Sequence, residues 1–447
     1  MLRYLGYNMH KRYIVSLLLF VPLWNMGAIP TATNVLTAEA NVETDDIVEN
    51  YNIENGVTAA FMNEVVYPDD DYSFTKITDY MAIATSYRKD LPSPVIIKAP
   101  ATNDGKSLLL ETHCNGKLVR SDHFPVGQRA LEIWNLIPQT RYTYKLYLIA
   151  SNDEKSELRQ GTFKTEGQVR MMNIDGMYNI RDIGGWKLAN GQRVKYDKIF
   201  RGGELLMGNQ IVITEAGIHE LLDFQHLGVE IDFGDYPGSP VSDRLDYYNG
   251  DEYQIVGYAG ALNSKKEQYK NCFEKVVAGL RQGKKILFHC NKGADRTGTF
   301  AFLLEGLLGV SESDLAKDYE LTNFVYSGRY RNLESSDHKN GYKGVIYYVK
   351  NMFNGNTLHE KIEQMALGMG IAQEEINDFR ELMTEPVVVV PADINNDGLV
   401  NSGDVMAVYN AMAGNATETM KAKADVNGDG LVNSGDVMAI YSIMAGN

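Results

Sequence analysis

The chain has 447 residues, 44% of them hydrophobic and 23% charged, with a formal net charge of −15. That describes a globular protein with room for roughly three domains, and the negative charge argues against a nucleic-acid partner. Three cysteines are a poor disulfide framework for a chain of this length; Cys114 and Cys272 fall in different expected domains, so no structural disulfide is expected. At the N-terminus, His10-Lys11-Arg12 precedes an apolar run from Tyr13 to Trp24. A basic start and a short apolar core read as a secretory signal. It would begin at Met1 or Met9, with small residues for cleavage at Gly27-Ala28 or Ala38-Glu39-Ala40. The run is too short for a comfortable spanning helix, and no transmembrane segment is expected after cleavage. Residues 1–40 are read as signal and processing region and 41–92 as an N-terminal extension. The mature protein is expected to be secreted: periplasmic, in a cell-surface complex or extracellular.

From 93 to 167 the pattern changes to short alternating runs. Val95-Ile96-Ile97-Lys98, then Ser107 to Thr112, Ala130 to Trp134 and Tyr142 to Leu148 are separated by Gly, Asn, Asp and Pro. They predict an all-β sandwich. Leu136-Ile137-Pro138-Gln139-Thr140-Arg141-Tyr142 resembles the corner of a fibronectin type III-like domain. The resemblance implies a corner tied by the Tyr142 hydroxyl and a spacer or accessory role. Carbohydrate binding is the alternative, but aromatics on alternating strands usually belong to the core.

Residues 168–385 carry the chemistry. They open with Asn179-Ile180-Arg181-Asp182-Ile183-Gly184-Gly185-Trp186, followed by Ile199-Phe200-Arg201-Gly202-Gly203-Glu204-Leu205. Alone, Gly184-Gly185 reads as a hairpin turn. Further on, Lys284-Lys285-Ile286-Leu287-Phe288 is an apolar run suited to a buried strand, and residues 299–308 read as a mostly apolar helix. Between them lies His289-Cys290-Asn291-Lys292-Gly293-Ala294-Asp295-Arg296-Thr297-Gly298. A strand, a tight loop and a helix N-terminus make an anion site, because loop N–H groups converge and the helix dipole adds positive charge. Such a field favours the thiolate of a cysteine placed in it. The site therefore suits a thiolate attacking a phosphate.

This loop resembles the His-Cys-x-x-Gly-x-x-Arg-Thr/Ser signature of cysteine-dependent phosphatases. The upstream block, with Tyr319-Glu320-Leu321-Thr322-Asn323 downstream, is similar to the atypical bacterial tyrosine and dual-specificity phosphatases, some of which act on phosphoinositides. The resemblance implies an α/β domain with a mainly parallel sheet and helices on both faces. It makes Cys290 the nucleophile through a phosphocysteine and Arg296 the clamp on two phosphate oxygens. Thr297 would hydrogen-bond the thiolate, and His289 would support the loop. Asn291, Lys292, Gly293 and Ala294 would cradle the phosphate, with Gly293 where a side chain would block it. No cofactor is expected for catalysis. The chain departs from the family at Asp232-Phe233-Gly234, normally Asp-Leu-Arg, and at Ala294, where many relatives carry lysine. Its loop lysine is Lys292, which would favour highly anionic substrates. Candidate substrates are phosphorylated protein, lipid or inositol phosphate.

The proton donor to the leaving oxygen stays open between Asp235, Asp243, Asp246, Asp251 and, inside the loop, Asp295. Cys272 reads as a buried helix cysteine, with reversible protection of Cys290 as its alternative. Two rival functions share the same residues. One is a catalytically weak protein that captures phosphorylated ligands for a multiprotein complex. The other is sulfur transfer or arsenate reduction, which the block beginning at Asn179 argues against.

After an extended linker at 386–391, residues 392–447 hold a repeat. Asp393, Asn395, Asp397, Asn401 and Asp404 recur as Asp425, Asn427, Asp429, Asn433 and Asp436. These oxygen side chains fall at the calcium-loop positions, with backbone carbonyls of Leu399 and Leu431 completing each set. Short helices are expected at 405–412 and 437–444. A proline-bounded linker cannot supply the helix that an EF-hand needs before its first loop. A loop with one helix, twice, resembles a dockerin. That implies a small α module with two Ca²⁺ sites and a cohesin-like partner for 392–447, met through Ser402-Gly403 and Ser434-Gly435.

Overall fold

The computed structural model describes residues 48–67, 80, 90–100, 106–207, 210–234, 238–325, 341–386, 392–394, 400, 402–416, 421 and 423–445. All belong to the second of two units into which the chain divides, residues 45–447. The expected signal region, Asp235, Asn395, Asp397, Leu399, Asn401 and linker residues 387–391 lie outside the described residues.

Seven strands form two antiparallel sheets near the N-terminal end. One has the order Val48–Glu49, Val95–Lys98, Ala130–Ile133. The other runs Lys117–Phe124, Ser107–Cys114, Arg141–Ile149, Lys155–Lys164. Alternate residues point into a shared core: Val95, Ile97, Leu131 and Ile133 meet Leu108, Leu110, Tyr144 and Leu146. The Tyr142 hydroxyl accepts from the Ile137 N–H at 2.9 Å, across the corner. Three of these strands carry little sequence signal. Val48–Glu49 is two residues long, and Lys117–Phe124 and Lys155–Lys164 are mostly polar and half-exposed. The N-terminal extension is not separate from the two domains. It contributes Val48–Glu49 to the first sheet, and its helix Gly56–Glu64, capped by Asn55, buries Phe61 and Met62 in the following domain.

That domain is built on a five-stranded sheet: Asp246–Tyr248, Leu227–Asp232, Lys285–His289, Ile199–Gly202, Arg181–Asp182. The first four strands are parallel and the last is antiparallel to its neighbour. Period-2 alternation assigns the two faces. Ile286 and Phe288 join a core with helices Lys266–Arg281, Asp295–Leu308, Leu358–Gly368 and Gln373–Met383. Leu287 joins a second core with Leu221 and Leu222, next to helix Glu215–His219. The central strand thus ends at His289 with a strand on each side, where an open α/β sheet forms its crevice. Strand Thr384–Pro386 pairs with Gln192–Val194, so the start of the expected linker is tied to this domain.

The two-sheet region docks on the second domain through buried polar groups. Arg120 reaches Glu220 at 2.8 Å, and Asn135 Nδ2 donates to the same carboxylate and to the Asn173 carbonyl. Arg170, almost wholly buried, donates to the Leu136 and Asn135 carbonyls and to Asp182, Asp197 and Gln225.

At the C-terminal end, helices Ser402–Met412 and Ser434–Met444 share a small core around Val405, Val408, Val437 and Ile440. Each begins three residues earlier than the hydrophobic pattern predicts, because polar Ser402-Gly403-Asp404 and Ser434-Gly435-Asp436 form the first turn. Among the described residues, no helix is long and apolar enough to cross a membrane.

Candidate active site

The central strand Lys285–His289 delivers Cys290 to the edge of the sheet, and the loop runs directly into helix Asp295–Leu308. Ala294 occupies the N-cap position without a side-chain cap. The helix N-terminus therefore keeps the partial positive charge that attracts an anion. Cys290 is buried, as are Gly293, Ala294 and Thr297, while Asn291, Lys292, Asp295 and Arg296 are half-buried. Gly293 has φ +64°, and a Cβ there would lie 2.5 Å from the Gly202 carbonyl oxygen. Only glycine fits.

What shapes the loop is the block beginning at Asn179. The Asn179 side-chain amide donates to the carbonyls of Lys292 at 3.0 Å and Gly293 at 2.9 Å. Arg201 donates to the Gly293 carbonyl at 3.0 Å, and the Tyr178 hydroxyl to that of Asn291 at 2.8 Å. A trans peptide points its N–H opposite its C=O. Anchoring three successive carbonyls on the outer side therefore turns the intervening N–H groups inward. The anchors are themselves held. Arg181 donates to the Asn179 side chain at 2.6 Å, and Arg181 and Arg201 both pair with Asp318. Burial opposes the Asp318 charge, but the two guanidinium groups outweigh it and hold its pKa below the ordinary value. The sequence marked this block as a motif but not as a brace. The partners are 92 to 137 residues apart, a distance no local pattern spans.

Beneath the loop, His289 is fully buried among Glu204, Glu230 and Asp232. Its Nε2 meets Glu230 at 3.2 Å, and its Nδ1 faces Glu204 at 3.7 Å and Asp232 at 3.8 Å. Burial works against the imidazolium, but the Glu230 hydrogen bond and the charges of Asp232, Glu230 and Glu204 outweigh it and raise the His289 pKa to about 9. Glu204, Asp232 and His289 also offer atoms within 4.8 Å of one another, close enough for a metal. A protonated His289 supplies the positive charge internally. Where relatives carry an arginine, Gly234 stands. Asp232 is held instead by the Tyr247 hydroxyl at 2.9 Å and Asn249 at 2.8 Å, and the Gly234 carbonyl by Gln254 at 2.8 Å.

Arg296 donates to the Phe233 carbonyl and to the Asn291 side chain. Thr297 departs from expectation: its Oγ1 is buried and makes no hydrogen bond, so the expected link to Cys290 is not formed in this state. Of the aspartates considered as proton donors, Asp243 is exposed, Asp251 sits on an exposed loop, and Asp246 is paired with Lys284. Asp295 lines a cavity together with Arg296, and its carboxylate accepts from the Tyr258 hydroxyl. Cys272 is buried in helix Lys266–Arg281, and burial raises its thiol pKa far above the ordinary value. All three cysteines are free.

The second C-terminal loop is described throughout. Asp436, fully buried, accepts from the N–H groups of Val426, Asn427 and Asn433. Asp404 accepts from Ile394 N–H in the same way. Asp425 accepts from Gly430 N–H through one oxygen, while its other, Oδ1, is buried with no hydrogen-bond partner. A buried carboxylate oxygen is costly unless a cation or donor meets it. The donor set of Asp425, Asn427, Asp429, Asn433 and the Leu431 carbonyl is all oxygen, which fits Ca²⁺.

Residues 172–385 match the model of the tyrosine phosphatase family, and residues 391–442 that of the dockerin type I domain. A putative tyrosine-protein phosphatase of Cupriavidus necator is 27% identical over 173 residues, covering 34% of this chain and 62% of the relative. A tyrosine-protein phosphatase of Nostoc commune is 33% identical over 85 residues, covering 19% of this chain and 28% of the relative. The chain thus spans about three-fifths of the length of the first relative and less than a third of the second. With the braced loop and the paired acidic loops, these matches identify the chain as one that joins a domain of the tyrosine phosphatase family to a dockerin type I domain.

Proposed function

We propose that this chain is a secreted phosphatase that hydrolyses phosphomonoesters through a phosphocysteine and is held in a complex by its C-terminal module. The observation that carries the reading is the loop itself. Its carbonyls are anchored outward by Asn179, Arg201 and Tyr178, with Cys290 and Arg296 at its two ends. In the first step Cys290 Sγ attacks phosphorus, the P–O bond breaks, and the leaving oxygen takes a proton from Asp295. Arg296 and the loop N–H groups hold the equatorial oxygens, where charge spreads in the transition state. Water then attacks the phosphocysteine, Asp295 takes the water's proton, and the thiolate leaves. Thr297 Oγ1, buried without another partner, gives its hydrogen bond to that thiolate. Protonated His289 adds positive charge one residue away.

The substrates we assign are phosphotyrosine, inositol phosphates or phosphoinositides, with Lys292 on the loop favouring the more anionic of them. The C-terminal module takes two Ca²⁺ ions, through Asp393, Asn395, Asp397, Leu399, Asn401 and Asp404 and through Asp425, Asn427, Asp429, Leu431, Asn433 and Asp436. It docks to a cohesin-like partner. Exposed side chains support that role: Met406, Tyr409 and Met412 on one helix recur as Met438, Tyr441 and Met444 on the other. The seven-strand region is read as a fibronectin type III-like accessory domain at 93–167, extended by the strand Val48–Glu49; the support is its strand order and the Tyr142 corner. The test is hydrolysis of phenyl phosphate by the full chain in EDTA. Wild type should turn over without added metal, and Cys290→Ser and Arg296→Ala should not. A chain that binds phosphate but never turns over would instead support phospho-ligand capture.

A further inference from the structure

Beside the loop lies a cavity of about 450 Å³ whose wall includes Val256, Tyr258, Lys265, Asp295 and Arg296. Three features set it apart from ordinary surface. The first is backbone strain. Tyr258 has φ +69°, a left-handed conformation that a bulky L-residue rarely adopts. Strain of this kind persists where surrounding contacts over-determine it, and here they do. The Tyr258 N–H donates to Thr299 Oγ1 at 2.8 Å, Thr299 donates onward to the Asp295 carbonyl at 2.8 Å, and the Tyr258 hydroxyl donates to the Asp295 carboxylate. A Cβ at Gly257 would lie 3.0 Å from the Asp295 backbone carbon, so the segment packs tightly against Asp295. The strained residue is therefore locked to the aspartate next to the loop arginine.

The second feature is an uncommitted cation. Lys265 is half-buried at the cavity wall and forms no ion pair with any of the described residues. Lys266, which is exposed, and Lys275, which lies over the Tyr248 ring, likewise make no ion pair with a described residue, but neither lines the cavity. Lys270 is paired with Glu274, Lys284 with Asp246 and Lys285 with Asp197. In a chain of net charge −15, a lysine left without a carboxylate beside an anion-binding loop is available for a ligand. The third feature is mixed lining. Val256 is 52% exposed and, with the Tyr258 ring, offers an apolar surface between the loop and Lys265.

We propose that this cavity is the leaving-group subsite, that it takes a phosphate ester whose alcohol or phenol part carries a second anionic group, and that Lys265 binds that anion. The assignment rests on the phosphatase reading above. Arg296 holds the phosphate at one end of the cavity, and Asp295, which protonates the leaving oxygen, stands in its wall. The group bonded to that oxygen therefore occupies the cavity. Tyr258 holds the carboxylate through one oxygen.

The test compares three esters on the full chain: phenyl phosphate, 4-carboxyphenyl phosphate and 4-(aminomethyl)phenyl phosphate. Wild type should favour the carboxylate over the amine in kcat/KM. Lys265→Gln should lower the carboxylate-to-amine ratio roughly three- to tenfold, the range of a partly solvated ion pair. Lys265→Glu should invert it, and Lys265→Arg should keep it. The ratio is internal to each variant, so a partly misfolded preparation does not change the reading. A ratio unaltered by Lys265→Glu overturns the assignment while leaving the phosphatase reading intact. Failure of wild type to turn over any of the three overturns the phosphatase reading, and this assignment with it.

Discussion

Cys290, Asp295 and Arg296 lie within seven consecutive residues, so the cluster was legible as residue types at fixed spacing. What the spacing could not supply was orientation. Five aspartates were candidates in the sequence, with Asp295 the hypothesised acid because it lies inside the loop beside Arg296. It lines a cavity together with Arg296, which agrees with that hypothesis. A proton donor matters most when the leaving group is a poor one. Asp295→Asn should therefore slow phenyl phosphate by about 10²-fold or more and 4-nitrophenyl phosphate far less. Equal slowing of both moves the role to another group. His289 makes a second residue-scale prediction. Its pKa rises from 6.5 to about 9 on folding. A folded-state pKa above the unfolded one stabilises fully below the unfolded value and is lost as pH climbs through the folded value. Folding stability should fall by up to about 3 kcal/mol between pH 6.5 and 9.5 from this group. Denaturant midpoints at the two pH values should differ in wild type, and the difference should shrink in His289→Asn; an equal difference in both would assign it elsewhere.

At the scale of elements, the strand–loop–helix unit was readable because every part of it is local. A strand with the apolar run Ile286-Leu287-Phe288, a glycine-bearing turn and a mostly apolar helix follow one another without a gap. The braces were not readable, because Asn179, Arg201 and Asp318 converge from three distant segments. The three strands that alternation missed fail for a different reason. Lys117–Phe124 and Lys155–Lys164 are held mainly by ladder hydrogen bonds to an apolar neighbour, so their own side chains stay polar. The brace predicts a specific defect. Asn179→Ala frees the Lys292 carbonyl and one of two contacts to Gly293, so the inward N–H groups lose their alignment. Such a loss of oriented donors costs about 10²-fold in kcat. KM for a small aryl phosphate should change less. Full activity in Asn179→Ala would show that the loop holds its shape unaided. Asp318→Asn should behave differently and unfold the domain readily, because two buried guanidinium groups lose their counter-charge, a cost of about 3–5 kcal/mol.

At the scale of the whole molecule, the sequence changes period along its length: two for the strands of 93–167, a mixed pattern over 168–385, and a 32-residue repeat at the end. The joint between the first two was not legible. No motif or periodicity marks Arg120, Asn135 and Arg170, which are buried where one domain meets the next. The two-sheet region is thereby fixed to the domain that carries the loop, through Arg120 to Glu220 and through Arg170 to the Asn135 and Leu136 carbonyls. The C-terminal module is different. Its core is a handful of small aliphatic side chains, too few to fold it strongly, and Asp425 keeps a buried oxygen for which calcium is the fitting partner. Bound metal should supply much of its folding energy. Limited proteolysis of the full chain should spare residues 392–447 in millimolar calcium and remove them in EDTA; equal resistance in both would exclude a folding role for the metal. On the proposed mechanism, phenyl phosphate turnover should be the same in either condition.

The measurement that bears most directly on the central claim is capture of the covalent intermediate. The full chain is mixed with excess 4-nitrophenyl phosphate in EDTA, quenched within milliseconds, digested and weighed by mass spectrometry. The account predicts one added phosphoryl group on the peptide that contains Cys290, present in wild type, enriched in Asp295→Asn if that residue also activates the water, and absent in Cys290→Ser. Turnover that proceeds with no phosphoryl group on Cys290, or that survives Cys290→Ser, would contradict it.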